Sequence, residues 1–99
     1  MNNSDLVVMT KASAKPGKEE EVLRALRDVA EAGRAQSGCV DYRILRAADD
    51  STATINFERW SSEDARDAFL AGPEVERFSA AVSGAFAESP QPVSYEAID

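Results

Sequence analysis

Residues 56–64 have the sequence NFERWSSED, in which a predicted β-strand passes directly into a predicted helix. Side chains alternate between the two faces of a strand, so Asn56, Glu58 and Trp60 share one face. Asn and Glu are poor strand formers, which indicates that this strand carries them for a reason other than propensity. The stretch therefore predicts that an amide, a carboxylate and an indole N–H point in the same direction.

The residues just after this strand predict a short helix. Ser61 and Ser62 suit the N-cap of a helix over residues 63–71, and Ser61 with Asp64 resembles a capping box. The helix is expected to present three residues to the core, namely Ala65, Ala68 and Phe69.

A further helix starts at Gly72-Pro73, because its apolar residues fall on one helical face. This stripe consists of Val75, Phe78, Val82 and Phe86, with Ala81 and Ala85 at its edge. Such a stripe indicates core packing more often than a cofactor site. The proline-containing residues 89–92 then break the chain, and residues 93–97 alternate apolar and polar as a last strand.

Upstream of the opening stretch, the sequence predicts a strand, a long helix and a hairpin. The first strand spans residues 6–14, before Lys15-Pro16-Gly17 breaks it. Acidic residues 19–21 open a helix that ends near Ser37-Gly38. A turn at residues 48–51 joins a second strand to the third. The second strand alternates polar residues with Val40, Tyr42 and Ile44.

The resulting order is β-α-β-β-α(α)-β, the ferredoxin-like arrangement of an α+β fold. It predicts one domain over residues 1–99, with residues 1–4 disordered, a four-stranded antiparallel sheet, and the helices on one sheet face. If the alternating residues of the second and third strands face the helices, Ile55 and Phe57 lie on the opposite face with half of the apolar run at residues 6–9. Because the chain has no further element to cover that face, we expect a homodimer in which two sheets pack face to face.

Composition and charge exclude several classes of function. The net charge of −7, without a basic cluster in the sequence, opposes binding to nucleic acid and to anionic membranes, and no apolar run approaches the roughly 20 residues that cross a bilayer. The single cysteine, Cys39, suits a reducing compartment, so we expect a cytoplasmic protein. Because the chain contains no histidine to activate its thiol, Cys39 is expected to be a small buried hydrophobe. The same absence excludes histidine-dependent catalysis and histidine ligation of zinc or haem.

Four segments, in this order and spacing, resemble the antibiotic biosynthesis monooxygenase domain family, whose members are dimeric α+β barrels. The segments are Lys15–Glu21 before the first helix, Ser37–Tyr42 at the second strand, Phe57–Ser62 at the end of the third, and Gly72-Pro73 before the last helix. The resemblance covers about residues 5–98. It is more specific for the fold than for activity, since the superfamily includes oxygenases of polyketides and quinols, haem-degrading enzymes, and members with no assigned reaction.

Three comparisons with these subgroups guide the choice of activity. Haem-degrading members carry a histidine ligand on the last helix, which this chain lacks. Many quinol-type members have Ser-Pro-His where this chain has Gly72-Pro73-Glu74. The polyketide oxygenases share the pattern Asn-x-x-x-Trp, which Asn56 and Trp60 reproduce, while a tyrosine found after that tryptophan in some of them corresponds to Arg66.

For such enzymes the resemblance implies a monooxygenase that needs no metal, flavin or other cofactor. It would oxidise an electron-rich hydroxylated aromatic, anthrone-like, quinol-like or polyketide, with O2 to a quinone. Asn56 is expected to donate its amide N–H to a substrate oxygen that becomes anionic, and Trp60 to supply a ring wall and its indole N–H. Tyr42, Glu58 and Arg66 are the expected substrate-binding residues.

Alternative interpretations exist for these residues and for the whole chain. Trp60 and Tyr42 also suit core packing. Glu58 suits a catalytic base or a structural partner of Arg43 or Arg59. The chain as a whole is also consistent with a non-catalytic small-molecule-binding or dimerisation module of the same fold.

Overall fold

The computed structural model describes residues 5–98, so the expected disorder of residues 1–4 lies outside the described part. Its elements are β1 (Leu6–Ala14), α1 (Glu19–Arg34), β2 (Cys39–Arg46), β3 (Ala53–Trp60), α2 (Glu63–Leu70), α3 (Pro73–Ala81) and β4 (Phe86–Glu96). This order confirms the predicted ferredoxin-like α+β fold. Among the helices of residues 5–98, none is long and apolar enough to cross a membrane.

The four strands form one antiparallel sheet with the order β2-β3-β1-β4. The helices cover one face, and α1 buries a continuous stripe against it that includes Val22, Leu26 and Val29. Since β3 is an inner strand, its alternating side chains are sorted strictly between the helix-covered face and the open face. Asn56, Glu58 and Trp60 are therefore held on the covered face.

A β-bulge at the start of β2 makes the predicted inward position of Val40 wrong. Cys39 pairs with Trp60 but Asp41 pairs with Arg59, so Val40 is an extra residue in the ladder. As a result Val40 is 55% exposed, and Cys39 packs beside the buried cluster instead. Beyond the bulge the register is regular, and the covered face continues as predicted.

The C-terminal part also differs from the prediction, because α3 is shorter and β4 is longer. The helix ends at Ala81, and a turn containing Gly84, with φ of +75°, reverses the chain so that β4 begins at Phe86. Pro90 and Pro92 lie inside β4 instead of breaking the chain. A strand at the sheet edge tolerates proline because it needs to donate hydrogen bonds on one side only.

The helix α2 is capped by Ser62, not by a Ser61-Asp64 capping box. The Ser62 side chain accepts a hydrogen bond from the Ala65 backbone N–H at 3.1 Å. Phe69 is buried as predicted and Ala65 is half-buried, but Ala68 is exposed. The two turns of α2 thus contribute one large side chain to the core.

The open face of the sheet carries apolar side chains from all four strands. Paired residues share a face, so Met9 lies between Phe57 on β3 and Val93 on β4, and Val7 lies beside Tyr95. About half of the surface of Leu45, Val93 and Tyr95 is exposed. No element within residues 5–98 covers this apolar face, in agreement with the sequence pattern.

Candidate functional site

The helix-covered face of β3 carries the polar residues singled out in the sequence. Asn56, Glu58 and Trp60 are 9%, 3% and 0% exposed, whereas the residues between them are only half-buried. Glu58 lies opposite Tyr42 in the ladder, and Asn56 lies opposite Ile44. The hairpin thus brings a phenol on β2 next to the amide and carboxylate of β3.

Glu58 is the centre of a buried network. Its Oε1 atom accepts a hydrogen bond from Trp60 Nε1 at 3.0 Å and another from Arg66 Nε at 2.9 Å. The Glu58 and Arg66 side chains are 4% and 17% exposed, so this is a largely buried ion pair. A buried carboxylate requires such partners, because desolvating an unpaired charge is expensive. The indole N–H of Trp60 is therefore engaged by Glu58.

The arginines proposed from sequence as partners of Glu58 pair elsewhere. Arg43 Nε bonds Asp41 and Arg59 Nε bonds Asp5, each at 2.9 Å. In the ladder, Arg43 and Arg59 occupy the face opposite Glu58. Arg66 reaches Glu58 instead, because α2 follows β3 directly and packs over the covered face.

Tyr42 and Asn56 form a second polar pair beside this network. Burial is the main cause that raises the pKa of the Tyr42 phenol well above its usual range, and the Glu58 charge acts in the same direction. A side-chain hydrogen bond with Asn56 and the charge of Arg66 act in the opposite direction. Tyr42 therefore stays a neutral phenol at physiological pH. Contacts among these side chains bring all five of the predicted site residues into one cluster.

Two residues that sequence reasoning did not assign to the site shape it. Gly33 on α1 allows the Tyr42 ring to lie against the helix, since a Cβ at residue 33 would come within 2.5 Å of a ring carbon. Phe69 packs against both rings, with centroid distances of 5.6 Å to Trp60 and 6.3 Å to Tyr42. The sequence signal for Phe69 was its apolar position on α2, which does not distinguish a site wall from ordinary core.

Cys39 lies at the edge of the same cluster. Burial, followed by the charges of Glu58 and Asp41, raises the pKa of its thiol. A thiol with a raised pKa is protonated at neutral pH and is a weak nucleophile. Cys39 thus packs against the cluster at the start of a strand as the sequence predicts, but it is half-buried and not fully buried.

Two cavities lie on either side of α1. The larger, of about 800 Å³, opens between α1 and α3, and its wall includes Val29 and Phe78. Both of these residues also pack in the cluster that contains Trp60. The smaller cavity, of about 330 Å³, lies between α1 and β2, and its wall includes Tyr42. Within residues 5–98, no three His, Cys, Asp or Glu side chains are grouped so that they would hold a metal ion.

Comparisons with known proteins agree with this architecture. The family model described as antibiotic biosynthesis monooxygenase matches residues 5–81. A comparison with curated protein sequences found no significant match.

Solved structures from three bacteria share the whole fold. A candidate antibiotic biosynthesis monooxygenase from Nitrosomonas europaea has a TM-score of 0.91 and 24% identity, covering 95% of this chain and 99% of that chain. A protein from Pseudomonas aeruginosa has a TM-score of 0.91 and 22% identity, covering 97% and 96%. A protein from Mycobacterium tuberculosis has a TM-score of 0.89 and 22% identity, covering 97% of each chain. At these identities, the likeness establishes the fold and leaves the reaction to be argued from the site.

Proposed function

Because the chain belongs to the antibiotic biosynthesis monooxygenase family, we propose that it is a cofactor-independent monooxygenase that oxidises an electron-rich hydroxylated aromatic with O2 to a quinone. The observation that carries the proposal is the buried pair of Tyr42 and Asn56, set beside the Glu58 network in an otherwise apolar interior. A few fixed donors in a water-poor site are well suited to stabilise a substrate anion.

The substrate is proposed to occupy the cavity between α1 and α3. Its volume of about 800 Å³ lies within the usual range for ligand sites and suits an aromatic ring system. Phe78 forms part of the cavity wall and also packs against the Trp60 cluster. Because Phe78 is only half-buried and packs against that cluster, the proposal requires a change of its rotamer to bring the substrate to Trp60 and the polar pair.

In the proposed reaction the substrate itself carries the redox chemistry. A phenolic O–H loses its proton to water, and the anion transfers one electron to O2. The resulting radical and superoxide combine to a peroxide anion, which takes a proton back from water to become a hydroperoxide. The hydroperoxide loses water to give the quinone; one oxygen atom of O2 remains in the product and the other leaves in the water. Asn56 donates its amide N–H to the substrate oxygen that becomes anionic.

The other cluster residues position the substrate. The ring of Trp60 is a wall of the site, held in orientation by its hydrogen bond to Glu58. Arg66 neutralises Glu58, so that the buried carboxylate does not repel the substrate anion. Tyr42 donates its hydroxyl to a second substrate oxygen, which its raised pKa allows because the phenol keeps its proton.

The experiment is O2 uptake with an anthrone or a hydroquinone in metal-chelated buffer. We expect Asn56→Ala to lower the catalysed rate by about a hundredfold, the usual effect of removing one oxyanion donor. Trp60→Phe keeps a ring and should lower the rate less. Gln91→Ala is the matched amide control, because the exposed Gln91 amide bonds the Ser89 carbonyl within the edge strand β4, away from the cluster. Uptake at the uncatalysed rate, or equal rates in Asn56→Ala and the native protein, would contradict the proposal.

A non-catalytic small-molecule-binding or dimerisation module is the second candidate function. The full burial of Trp60 and the engagement of its N–H by Glu58 favour it, because a packed indole whose N–H is already bonded has no part in a reaction. Titration with the same hydroquinone under nitrogen, followed by Trp60 fluorescence, separates the two candidates. Saturable quenching without O2 uptake in air supports the binding module.

The proposed enzyme is a homodimer assembled through the open sheet face. Burial of apolar surface on Phe57, Val93 and Tyr95 provides the driving force. In sedimentation analysis we expect Val93→Asp to shift the chain from dimer to monomer. Leu70→Asp, which charges a similarly exposed residue on the helical side, should leave the dimer intact. A monomeric native chain would contradict this assembly.

The cytoplasmic location stays a prediction from the single cysteine.

A further inference from the structure

Four arginines surround the cavity between α1 and the edge strand β2. Arg27 and Arg34 come from α1, two helical turns apart on one helix face, and Arg43 and Arg46 come from β2. The cavity has a volume of about 330 Å³ and lies on the opposite side of α1 from the cavity proposed for the aromatic substrate. These arginines are scattered along the sequence, so the cluster exists only in the folded chain.

The charge of this cavity is opposite to that of the chain as a whole. The protein has 18 acidic and 11 basic residues, yet four of the basic residues line this one cavity and no acidic residue does. Arg43 is paired with Asp41, but Arg27, Arg34 and Arg46 form no ion pair within residues 5–98. Charges of one sign on the walls of a concave site reinforce each other's potential and attract counter-ions.

The cavity wall also has an apolar part, which includes Ile44 and the ring of Tyr42. Guanidinium groups bind carboxylates and phosphates through two parallel hydrogen bonds. A ligand with separate anionic groups on a small carbon skeleton matches both parts of the wall. Extended polyanions such as nucleic acids or anionic membranes are disfavoured, because the remaining surface of a chain of net charge −7 repels them.

We propose that the cavity between α1 and β2 is a binding site for a small organic anion bearing two or more carboxylate or phosphate groups. Arg27, Arg34 and Arg46 bind the anionic groups, and Ile44 and Tyr42 contact the carbon skeleton. The proposal does not depend on the monooxygenase reaction, because it concerns a different cavity and a binding event only.

The test uses isophthalate, which carries two carboxylates on one ring, and its uncharged analogue isophthalamide. Calorimetry on the full chain at low salt should detect isophthalate binding, which weakens as salt is added, and no binding of isophthalamide. Arg34→Gln should weaken isophthalate binding by about fivefold, the effect of one exposed ion pair. Arg24→Gln removes the same charge from an exposed position of α1 outside the cavity, and should change the affinity less than about twofold.

Backbone amide shifts of the native protein locate the bound probe without any substitution. Shifts concentrated at Arg27, Arg34 and Ile44 support the proposal, and this result stands even where a variant fails to fold. Absence of binding at millimolar isophthalate, equal affinity for isophthalamide, equal weakening by Arg24→Gln, or shifts confined to other parts of the chain would overturn it.

Discussion

Two ion pairs on neighbouring residues of β3 have the same length but different burial, and substitution should reveal the difference. Glu58 and Arg66 are joined at 2.9 Å with side chains 4% and 17% exposed. Asp5 and Arg59 are also joined at 2.9 Å, with side chains 21% and 37% exposed. We predict that Glu58→Gln destabilises the protein far more than Asp5→Asn, although each removes one charge and little volume.

The expected loss of stability on each substitution follows from the surroundings of the carboxylate that is removed. Breaking a buried pair by removing one charge costs about 3–5 kcal/mol, because the other charge stays desolvated. The glutamine amide can still accept from Trp60 Nε1, and Arg66 keeps some solvent contact, so we expect about 2–3 kcal/mol for Glu58→Gln. A pair with this much solvent contact is closer to a surface pair, which contributes about 0.2–1 kcal/mol, so a loss of about 1 kcal/mol is expected for Asp5→Asn.

Urea unfolding at one fixed protein concentration measures both losses, with the fluorescence of the single tryptophan, Trp60, as the signal. With a slope of about 1 kcal/mol per M urea, the midpoint should fall by about 2–3 M for Glu58→Gln and by about 1 M for Asp5→Asn. A double variant, Glu58→Gln with Arg66→Met, should recover part of the loss because no unpaired charge remains. Equal losses in the two single variants would refute burial as the cause.

Three further predictions concern residues around the cluster. The pKa of Tyr42 is raised above its usual value of 10.0, so its contribution to stability is fully present below pH 10 and is lost as the pH rises further. Urea unfolding below and above pH 10 should show that the free energy of unfolding declines less for Tyr42→Phe than for the native chain. An equal decline would contradict this prediction. Gly33→Ala should destabilise by about 1 kcal/mol, because contact with the Tyr42 ring outweighs the helix preference of alanine; a more stable variant in thermal unfolding would be evidence against that contact. Cys39, with its raised thiol pKa, should react with iodoacetamide at pH 8 more slowly than free glutathione does, and an equal rate would show that the thiol is freely ionised.

The sequence was sufficient for the fold because its signals are local and agree with one another. The alternation in β3, the apolar stripe of α1 and the turn between β2 and β3 each follow from side-chain periodicity, and the structure confirms them. The wrong predictions for the strands concern positions where pairing with a neighbouring strand decides the structure. The bulge at Val40 depends on how β2 meets β3, and the prolines of β4 are tolerated only because that strand lies at an edge.

The candidate site could be predicted in part for the same reason. Asn56, Glu58 and Trp60 share a face by alternation alone, so their common burial was readable from the sequence. The partners of Glu58 were not, because the arginine that reaches it lies on the helix after the strand. A one-dimensional pattern gives the direction of a side chain within its own element, and it does not give the groups that another element places opposite.

By itself, the sequence determined the order of elements, the polar face of β3 and the apolar open face, since these follow from spacing along one chain. Only the tertiary structure decided that Arg66 of α2 pairs with Glu58 of β3 and that four arginines meet at one cavity in an acidic chain. Both depend on contacts between residues of different elements, or on the exact register between strands. A hydrogen bond, and a group of like charges around one cavity, both require side chains within a few ångströms of each other. Only packing in three dimensions fixes such distances.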